Sequence, residues 1–297
     1  MKAWKGLILA GGTGSRLTPL TRVVNKHLLP VFDKPMIYYP LTTLMLADIR
    51  DITIVTNPES MDQIKALLGE GTQWGLKLRY RIQQRPDGIA SGLRAAADDL
   101  GGCNVGLILG DNIFFGAGLA QTLATSMSEN PGATIFGYEV ANPSAFGIAT
   151  VDPQERVLAL EEKPANSKSR IAVTGLYFYA PDVFDMSARL RPSARTELEI
   201  TDLNRLYLDQ GRLRLRNLGR GVAWLDGGTP EDLYEAGQFV KVIQDRTGLQ
   251  VACPEEIAYR RNFIDRAAFA RLAKSAVASG YRSYLLHVLD DPLIENV

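Results

Sequence analysis

The stretch Lys5-Gly-Leu-Ile-Leu-Ala-Gly-Gly-Thr-Gly-Ser-Arg-Leu-Thr-Pro-Leu-Thr21 constrains what this chain can fold into more than any other part of it. Its apolar run, Leu7 to Ala10, has the length of a buried strand, and three glycines within four positions end it abruptly. Glycines let the backbone turn tightly and approach a ligand, so that unshielded N–H groups can line an anion site. Arg16 and Lys26 add the charge that such a site needs. A strand-to-helix turn with an incidental basic surface would leave the same trace, because a glycine-rich loop alone is a weak signal. Two better-known phosphate loops are excluded. A P-loop requires Gly-Lys-Ser/Thr, but Ser15-Arg16 follows Gly14, and the dinucleotide fingerprint requires glycine where Leu17 stands.

Downstream, Pro35 to Ala47 reads as a largely buried helix, and Asp51 to Thr56 as a strand of β-branched residues. Ser60 to Leu68 is amphipathic, with Ser60 as a cap. Leu76 to Gln83 alternates into a third strand before the turn Pro86-Asp-Gly88. Ala90 to Leu100 is alanine-rich helix, and Val105 to Asp111 is a fourth strand that ends on an acid. This alternation predicts a parallel sheet with helices on both faces, and ligands in such sheets bind at the carboxyl ends of the strands. That rule gathers Gly11–Arg16, Gln83–Gly88 and Asp111. From Thr134 onward strands follow one another with little helix: Thr134 to Val140, Gly147 to Val151, Val157 to Glu161 and Gly175 to Tyr179. They predict a mixed or antiparallel extension, a small β lobe. Leu198 to Gln210 reads as helix, and Gly221 to Asp226 as a short strand. Asp226-Gly227 is a hairpin signal, yet Thr229-Pro-Glu-Asp232 is a capped helix start, which disfavours a hairpin. The expected organisation is a Rossmann-like α/β core over 1–248, in two parts at about 1–132 and about 133–248. A helical C-terminal subdomain occupies 249–297.

Lysine plus arginine equals aspartate plus glutamate, at 33 each, so no global field favours nucleic acid or an anionic membrane. Cys103 and Cys253 lie far apart without a C-x-x-C, which indicates neither a disulfide framework nor a zinc knuckle. No apolar run reaches ~18 residues, so a soluble, cytoplasmic protein is expected.

The residues that could carry chemistry are few. Asp111 and Asp226 each end a strand, where an aspartate can equally be a turn or cap residue. Two strand-end carboxylates beside a phosphate loop suit Mg²⁺, which prefers a few carboxylates plus phosphate oxygens. Lys163, in Glu161-Glu-Lys-Pro164, ends another strand and reads either as a site lysine or as part of a solvated charge run. With two histidines, His27 and His287, and no Gly-x-Ser-x-Gly elbow, a nucleophilic triad is set aside. The inventory suits phosphoryl or nucleotidyl transfer, where positioning and charge neutralisation supply most of the catalysis.

The chain resembles the glucose-1-phosphate thymidylyltransferases of the sugar nucleotidyltransferase superfamily. The resemblance rests on Leu9-Ala-Gly-Gly-Thr-Gly-Ser-Arg-Leu17, Lys26-His-Leu-Leu-Pro30, Asp33 to Leu41, Pro86 to Ala90 and Leu109-Gly-Asp-Asn-Ile-Phe114. It continues through Leu160-Glu-Glu-Lys-Pro164, Val173 to Tyr179, Glu199-Ile-Thr-Asp202 and Trp224-Leu-Asp226. It implies that dTTP and glucose 1-phosphate give dTDP-glucose and pyrophosphate by direct in-line attack on the α-phosphorus, with Mg²⁺ required. On the matching positions, Leu9, Gly11, Gly12, Thr13, Gly14, Arg16 and Lys26 would hold the triphosphate end of the nucleotide. Gln83, Pro86 and Gly88 would hold the base. Asp111 and Asp226 would bind the metal, and Lys163 the sugar phosphate. Asn112, Phe146, Gly147, Glu162, Val173 and Trp224 would surround the hexose. The resemblance makes about 1–132 the nucleotide-binding half and about 133–248 the sugar-phosphate part, and it further implies a homotetramer and a second, regulatory nucleotide site near Phe115-Gly116, Arg220, Val251, Ile257 and Arg260.

The chain departs from the family pattern where His27 replaces a glutamine and Phe146 a tyrosine. Gly227 replaces a larger residue, Arg85 and Ser91 flank the base turn, and Ala117-Gly118 replace a polar pair. Loss of a sugar-facing hydroxyl at Phe146 can alter selection of the sugar phosphate. Gln83 complements thymine and uracil equally well, and the methyl that separates them is worth ~1–3 kcal/mol in a good pocket, so dTTP preference with measurable UTP use is expected. The competing readings are a uridylyltransferase or a transferase for another sugar 1-phosphate, and a nucleotide-binding regulatory subunit without turnover.

Overall fold

A computed structural model describes residues 2–291 of the 297-residue chain. The first part alternates strand and helix: β1 (Trp4–Ala10), the short strands β2 (Pro30–Val31) and β3 (Lys34–Pro35), α1 (Tyr38–Leu46), β4 (Asp51–Thr56), α2 (Met61–Leu68), β5 (Lys77–Ile82), α3 (Ile89–Ala95), α4 (Ala97–Leu100) and β6 (Asn104–Leu109). Next come β7 (Asn112–Gly116), α5 (Leu119–Ser128), β8 (Ala133–Glu139), β9 (Gly147–Val151), β10 (Val157–Glu162), β11 (Ile171–Tyr179), α6 (Val183–Ala188), α7 (Ile200–Asp209), β12 (Leu213–Asn217) and β13 (Val222–Asp226). The helices α8 (Pro230–Thr247), α9 (Pro254–Arg260), α10 (Arg266–Ser275) and α11 (Gly280–Asp290) complete the described chain.

One large sheet runs β10-β9-β11-β6-β1-β4-β5, with β8 on the other edge of β11 and β12 outside β8. Strands β6, β1, β4 and β5 are mutually parallel, and β11 runs antiparallel to β6, β8 and β9. The expected α/β class with a mixed, mostly parallel core is therefore observed. The reason lies in β1, both of whose faces are buried: Ile8 and Ala10 join α1 residues Leu41 and Leu44, whereas Leu7 and Leu9 face Leu93 and Leu100 of α3 and α4. A strand covered by helices on both sides must be apolar throughout, which its sequence is.

Two local features position the site. First, β11 forks. Its C-terminal half, Leu176–Tyr179, pairs with β6, whereas Ile171 and Ala172 pair with β9, and its register against β8 shifts between Val173 and Tyr177. The sheet opens at this irregular stretch. Second, β7 and β13 form a separate antiparallel pair in which Asp226 lies opposite Asn112, next to Asp111. Asp226-Gly227 makes no hairpin. Thr229 and Asp232 instead form a reciprocal capping box that starts α8.

Several boundaries differ from the sequence reading. Asn57, not Ser60, caps the turn before α2, because its side chain accepts the Ser60 N–H. The helix expected over 90–100 breaks at Ala96 into α3 and α4, and β11 begins at Ile171 rather than Gly175. Strands β7 and β12 and helices α5 and α6 lie outside the sequence reading, although Leu213-Arg-Leu-Arg216 of β12 carries the alternation of a half-buried strand and α5 buries Leu119, Leu123 and Ser126 at helical spacing. At the C-terminal end, α10 and α11 close a small core around Phe269, Leu285 and Cys253, while Ile257 and Ala258 of α9 join the main core. Among the described residues no helix is long and apolar enough to cross a membrane.

Candidate active site

Two cavities open along the carboxyl edge of the parallel strands and share Ile89, Leu109 and Asp111 as a common wall. The smaller, about 190 Å³, is lined by Leu9, Gly11 and Gly12 from the β1 loop, by Lys26 and His27, and by Gln83, Pro86 and Gly88 from the segment after β5. Gly88 sits at φ +109°, and a Cβ there would lie 2.5 Å from the Leu198 carbonyl oxygen, so the turn admits only glycine without strain. The Gln83 amide is oriented by its Nε2, which donates to Asp87 Oδ1 at 3.1 Å and to the Gly88 carbonyl at 3.2 Å. Its Oε1 is left on the Gly11 side, 3.3 Å from where a Cβ of Gly11 would be.

The larger cavity, about 600 Å³, holds Arg16, Asn112, Phe146, Gly147, Glu162, Lys163, Val173, Trp224 and Asp226 in its wall. All the residues expected around the sugar phosphate are thus gathered in one place, from β7, β9, β10, β11 and β13. Of the expected nucleotide residues, Thr13 and Gly14 line neither cavity, and Arg16 faces the larger one. Lys163 stands at φ +45° immediately after β10, with its N–H donated to the Phe146 carbonyl at 3.0 Å. Among the described residues no carboxylate lies within ion-pair distance of its ammonium, which leaves Lys163 a free cation in the cavity. The Phe146 ring packs 5.1 Å from Trp224, and Tyr138 backs Trp224 at 5.8 Å, so one wall is an aromatic surface.

Sequence reasoning overlooked Thr201, Arg195, Ile89 and Tyr177. Thr201 Oγ1 donates to Glu162 Oε2 at 2.6 Å, and Arg195 Nη2 reaches Glu162 Oε1 at 3.3 Å and Glu199 Oε2 at 2.9 Å. Thr201 lies within the matching stretch Glu199-Ile-Thr-Asp202, but its contact with β10 is made only when α7 packs there.

Electrostatics concentrate on the two aspartates. Lys26 ion-pairs with Asp111 Oδ2, and Asn112 Nδ2 donates to Asp111 Oδ1 at 2.9 Å. Burial opposes ionisation of Asp111, but the Lys26 charge and these bonds outweigh it and hold the carboxyl well below its ordinary range. Asp226 goes the other way. Burial and then the Asp111 charge push it up to about 7, against smaller opposing contributions from Lys26 and Arg16. Two carboxylates that crowd each other in this way fit a divalent cation. Among the described residues no group of three or more His, Cys, Asp or Glu side chains could hold a metal. A site here would accordingly complete its shell with phosphate oxygens and water, as Mg²⁺ does.

His27 is 1% exposed. Asn25 Oδ1 accepts the His27 N–H at 2.8 Å and lies 2.7 Å from Nδ1, while Asn25 Nδ2 donates to Ala10 O and Ser60 Oγ. Burial, then Lys26, lowers the imidazole to about 3, so it is neutral at physiological pH. Gly227 lies against Met36, whose Cε would be 2.6 Å from an added Cβ.

A third cavity, lined by Phe115, Gly116, Val251 and Ile257 among others, contains four of the positions expected in a regulatory site. Arg220 and Arg260 do not line it, and Arg260 is turned to Glu256 at 2.8 Å. Ala117 and Gly118 are likewise absent from its wall.

The model of the nucleotidyl transferase family matches residues 5–242. A glucose-1-phosphate thymidylyltransferase of Xanthomonas campestris pv. campestris is 52% identical over 281 residues, 95% of each chain. One from Neisseria gonorrhoeae is 49% identical over 96% of this chain and 99% of that protein. Among solved structures, a Bacillus anthracis protein assigned as a glucose-1-phosphate thymidylyltransferase, in complex with sucrose, superposes with a TM-score of 0.74 at 42% identity, covering 80% of this chain and 95% of that one. A UDP-glucose pyrophosphorylase bound to UDP-glucose shares the fold, with a TM-score of 0.72 at 22% identity over 82% of this chain and all of that one. The chain belongs to the nucleotidyl transferase family and, within it, to the glucose-1-phosphate thymidylyltransferases.

Proposed function

We propose that the chain joins dTTP to α-D-glucose 1-phosphate, giving dTDP-glucose and pyrophosphate. The observation that carries this reading is the shared wall: the glycine-loop cavity and the sugar cavity meet at Asp111, so a nucleotide in one and a sugar phosphate in the other touch there. A sugar-phosphate oxygen attacks the α-phosphorus, the bond to the β-phosphate oxygen breaks, and its electrons leave on pyrophosphate. Gln83 hydrogen-bonds the base, with Gly88 closing against it. The loop N–H groups with Arg16 and Lys26 hold the triphosphate and offset charge on the departing pyrophosphate. Lys26 exchanges its Asp111 contact for phosphate as the nucleotide enters. Lys163 holds the attacking phosphate, and Glu162, positioned by Thr201 and Arg195, accepts from hexose hydroxyls. Asp111 and Asp226 would hold Mg²⁺, which when bound supplies charge neutralisation at the α-phosphate.

The test is pyrophosphate release in the presence of Mg²⁺. Release that requires both dTTP and glucose 1-phosphate is expected, and absence of turnover with both refutes the reading. Asp111→Asn and Asp226→Asn should each remove most activity while the fold persists, and near-full rates in both overturn the metal assignment. A second reading, transfer to a different sugar 1-phosphate, is favoured by the hydroxyl-free Phe146 ring in the cavity wall. Competition among several nucleotides and sugar phosphates in one assay separates the two. The family resemblance alone supports a cytoplasmic homotetramer, and light scattering at the expected tetramer mass checks the assembly.

A further inference from the structure

Asn112 lies where the metal carboxylates, the aromatic wall of the sugar cavity and the irregular part of β11 meet, and it is 3% exposed. Its Oδ1 accepts from the Gly175 N–H at 2.9 Å and from the Trp224 Nε1–H at 2.6 Å, while its Nδ2 donates to Asp111 Oδ1 at 2.9 Å. Both lone pairs and one of the two N–H groups are therefore committed to the protein, which leaves one N–H for anything else. The slot that holds the amide exists because residue 175 has no side chain. A Cβ there would lie 2.6 Å from Oδ1 and 2.8 Å from Nδ2. Asp111 Oδ2 is taken by Lys26. Among the described residues, Asn112 is the side chain that bonds Asp111 Oδ1.

We propose that Asn112, besides any contact its remaining N–H makes with the sugar, is a positioning residue for the metal. Its amide fixes the rotation of the Asp111 carboxylate, so that Oδ2 points at the cation site when Lys26 shifts to phosphate. The carboxylate cannot turn without breaking the Nδ2 bond, and the amide cannot follow it, because Gly175 and Trp224 hold its oxygen. The same residue links the metal carboxylate to the Trp224 wall, so the metal site and the sugar cavity share one rigid joint. This inference rests on the assignment of Asp111 and Asp226 as metal ligands, and its test is chosen to fail separately from that assignment.

Mn²⁺ is titrated against the full chain saturated with dTTP, without sugar phosphate, so that Lys26 is drawn from Asp111 to phosphate, and followed by electron paramagnetic resonance, for the wild type, Asn112→Ala, Gly175→Ala and Trp224→Phe. Circular dichroism establishes that each variant folds. Loss of an outer-shell partner typically costs 10–100-fold in metal affinity, and that loss is expected in Asn112→Ala. Gly175→Ala displaces the amide without deleting it, should weaken Mn²⁺ comparably, and serves alone if Asn112→Ala does not fold. Trp224→Phe keeps the Asp111 bond and the Gly175 bond to the amide oxygen, so its loss of Mn²⁺ affinity should be clearly smaller than that of Asn112→Ala. Unchanged affinity in both Asn112→Ala and Gly175→Ala overturns the inference, as does an equal loss in Trp224→Phe, which would indicate general loosening. A wild type that does not bind Mn²⁺ overturns the inference together with the metal assignment, whereas one that binds Mn²⁺ but releases no pyrophosphate overturns the proposed function alone.

Discussion

Replacing His27 by glutamine, the residue that the family pattern leads one to expect there, isolates one buried titration. In the folded protein the imidazole takes up a proton only near pH 3, because burial and the neighbouring Lys26 disfavour the cation. In the unfolded chain it titrates near its ordinary 6.5. Above pH 6.5 both states are neutral and the group contributes nothing to the pH dependence. As the pH falls below 6.5, the unfolded state binds a proton that the folded state refuses, and stability is lost until about pH 3. At ~1.4 kcal/mol per pH unit, the loss attributable to His27 between pH 6.5 and pH 5 is about 2 kcal/mol. Urea unfolding of wild type and His27→Gln at pH 7.5 and pH 5.0 measures it. The many carboxylates titrate in both proteins and cancel in the difference, and any constant cost of replacing the ring cancels between the two pH values. Wild type should lose about 2 kcal/mol more than the variant on acidification. Parallel losses in the two proteins would refute a neutral, desolvated imidazole held by Asn25.

Four further outcomes are expected. Because Asp226 titrates near 7 and a ligating carboxylate must be ionised, Mg²⁺ binding at pH 6 should release a proton, and affinity should rise toward pH 8; calorimetry in buffers of different ionisation enthalpy measures both. The raised pKa also means that ionised Asp226 opposes folding from its ordinary 3.8 upward. Asp226→Asn should therefore be more stable than wild type at pH 8 in a chelator, read as a higher Tm, while its activity is lost. Gly88→Ala places a side chain at φ +109° and against the Leu198 backbone. A stability loss of about 2–5 kcal/mol in denaturant unfolding and a raised KM for dTTP are expected. Thr201→Val deletes the 2.6 Å bond to the Glu162 carboxylate; at about 1.5–3 kcal/mol for a bond to a charged group, KM for the sugar phosphate should rise about tenfold or more with KM for dTTP little changed.

Much of the fold was legible in the sequence because short-range patterns carry it. The continuous apolar run of β1 requires burial on both faces, and the structure provides helices on both. Asp51 to Thr56 forms β4 over the full expected range, and Thr229-Pro-Glu-Asp232 starts α8 with the reciprocal cap its residues encode. The glycine loop was legible as a loop, and the strand-end rule brought Gly11, Gln83 and Asp111 to one cavity wall.

What only the tertiary structure decided is how distant segments meet. The pairing of β7 with β13 sets Asp226 opposite Asn112, although more than a hundred residues separate them and nothing in the short strand read at Gly221 to Asp226 names its partner. The fork of β11 opens the sheet at Thr174 and Gly175, and nothing in a run of strand-forming residues marks where hydrogen bonding changes partner. The opposite charge behaviour of Asp111 and Asp226 arises because Lys26 pairs directly with Asp111, whereas burial and the Asp111 charge outweigh Lys26 and Arg16 at Asp226. Identity and spacing determine which elements form, since propensity and periodicity act over a few residues. Burial, register and the neighbours of a charge are long-range properties, and they turned two strand-end aspartates into an unequal pair.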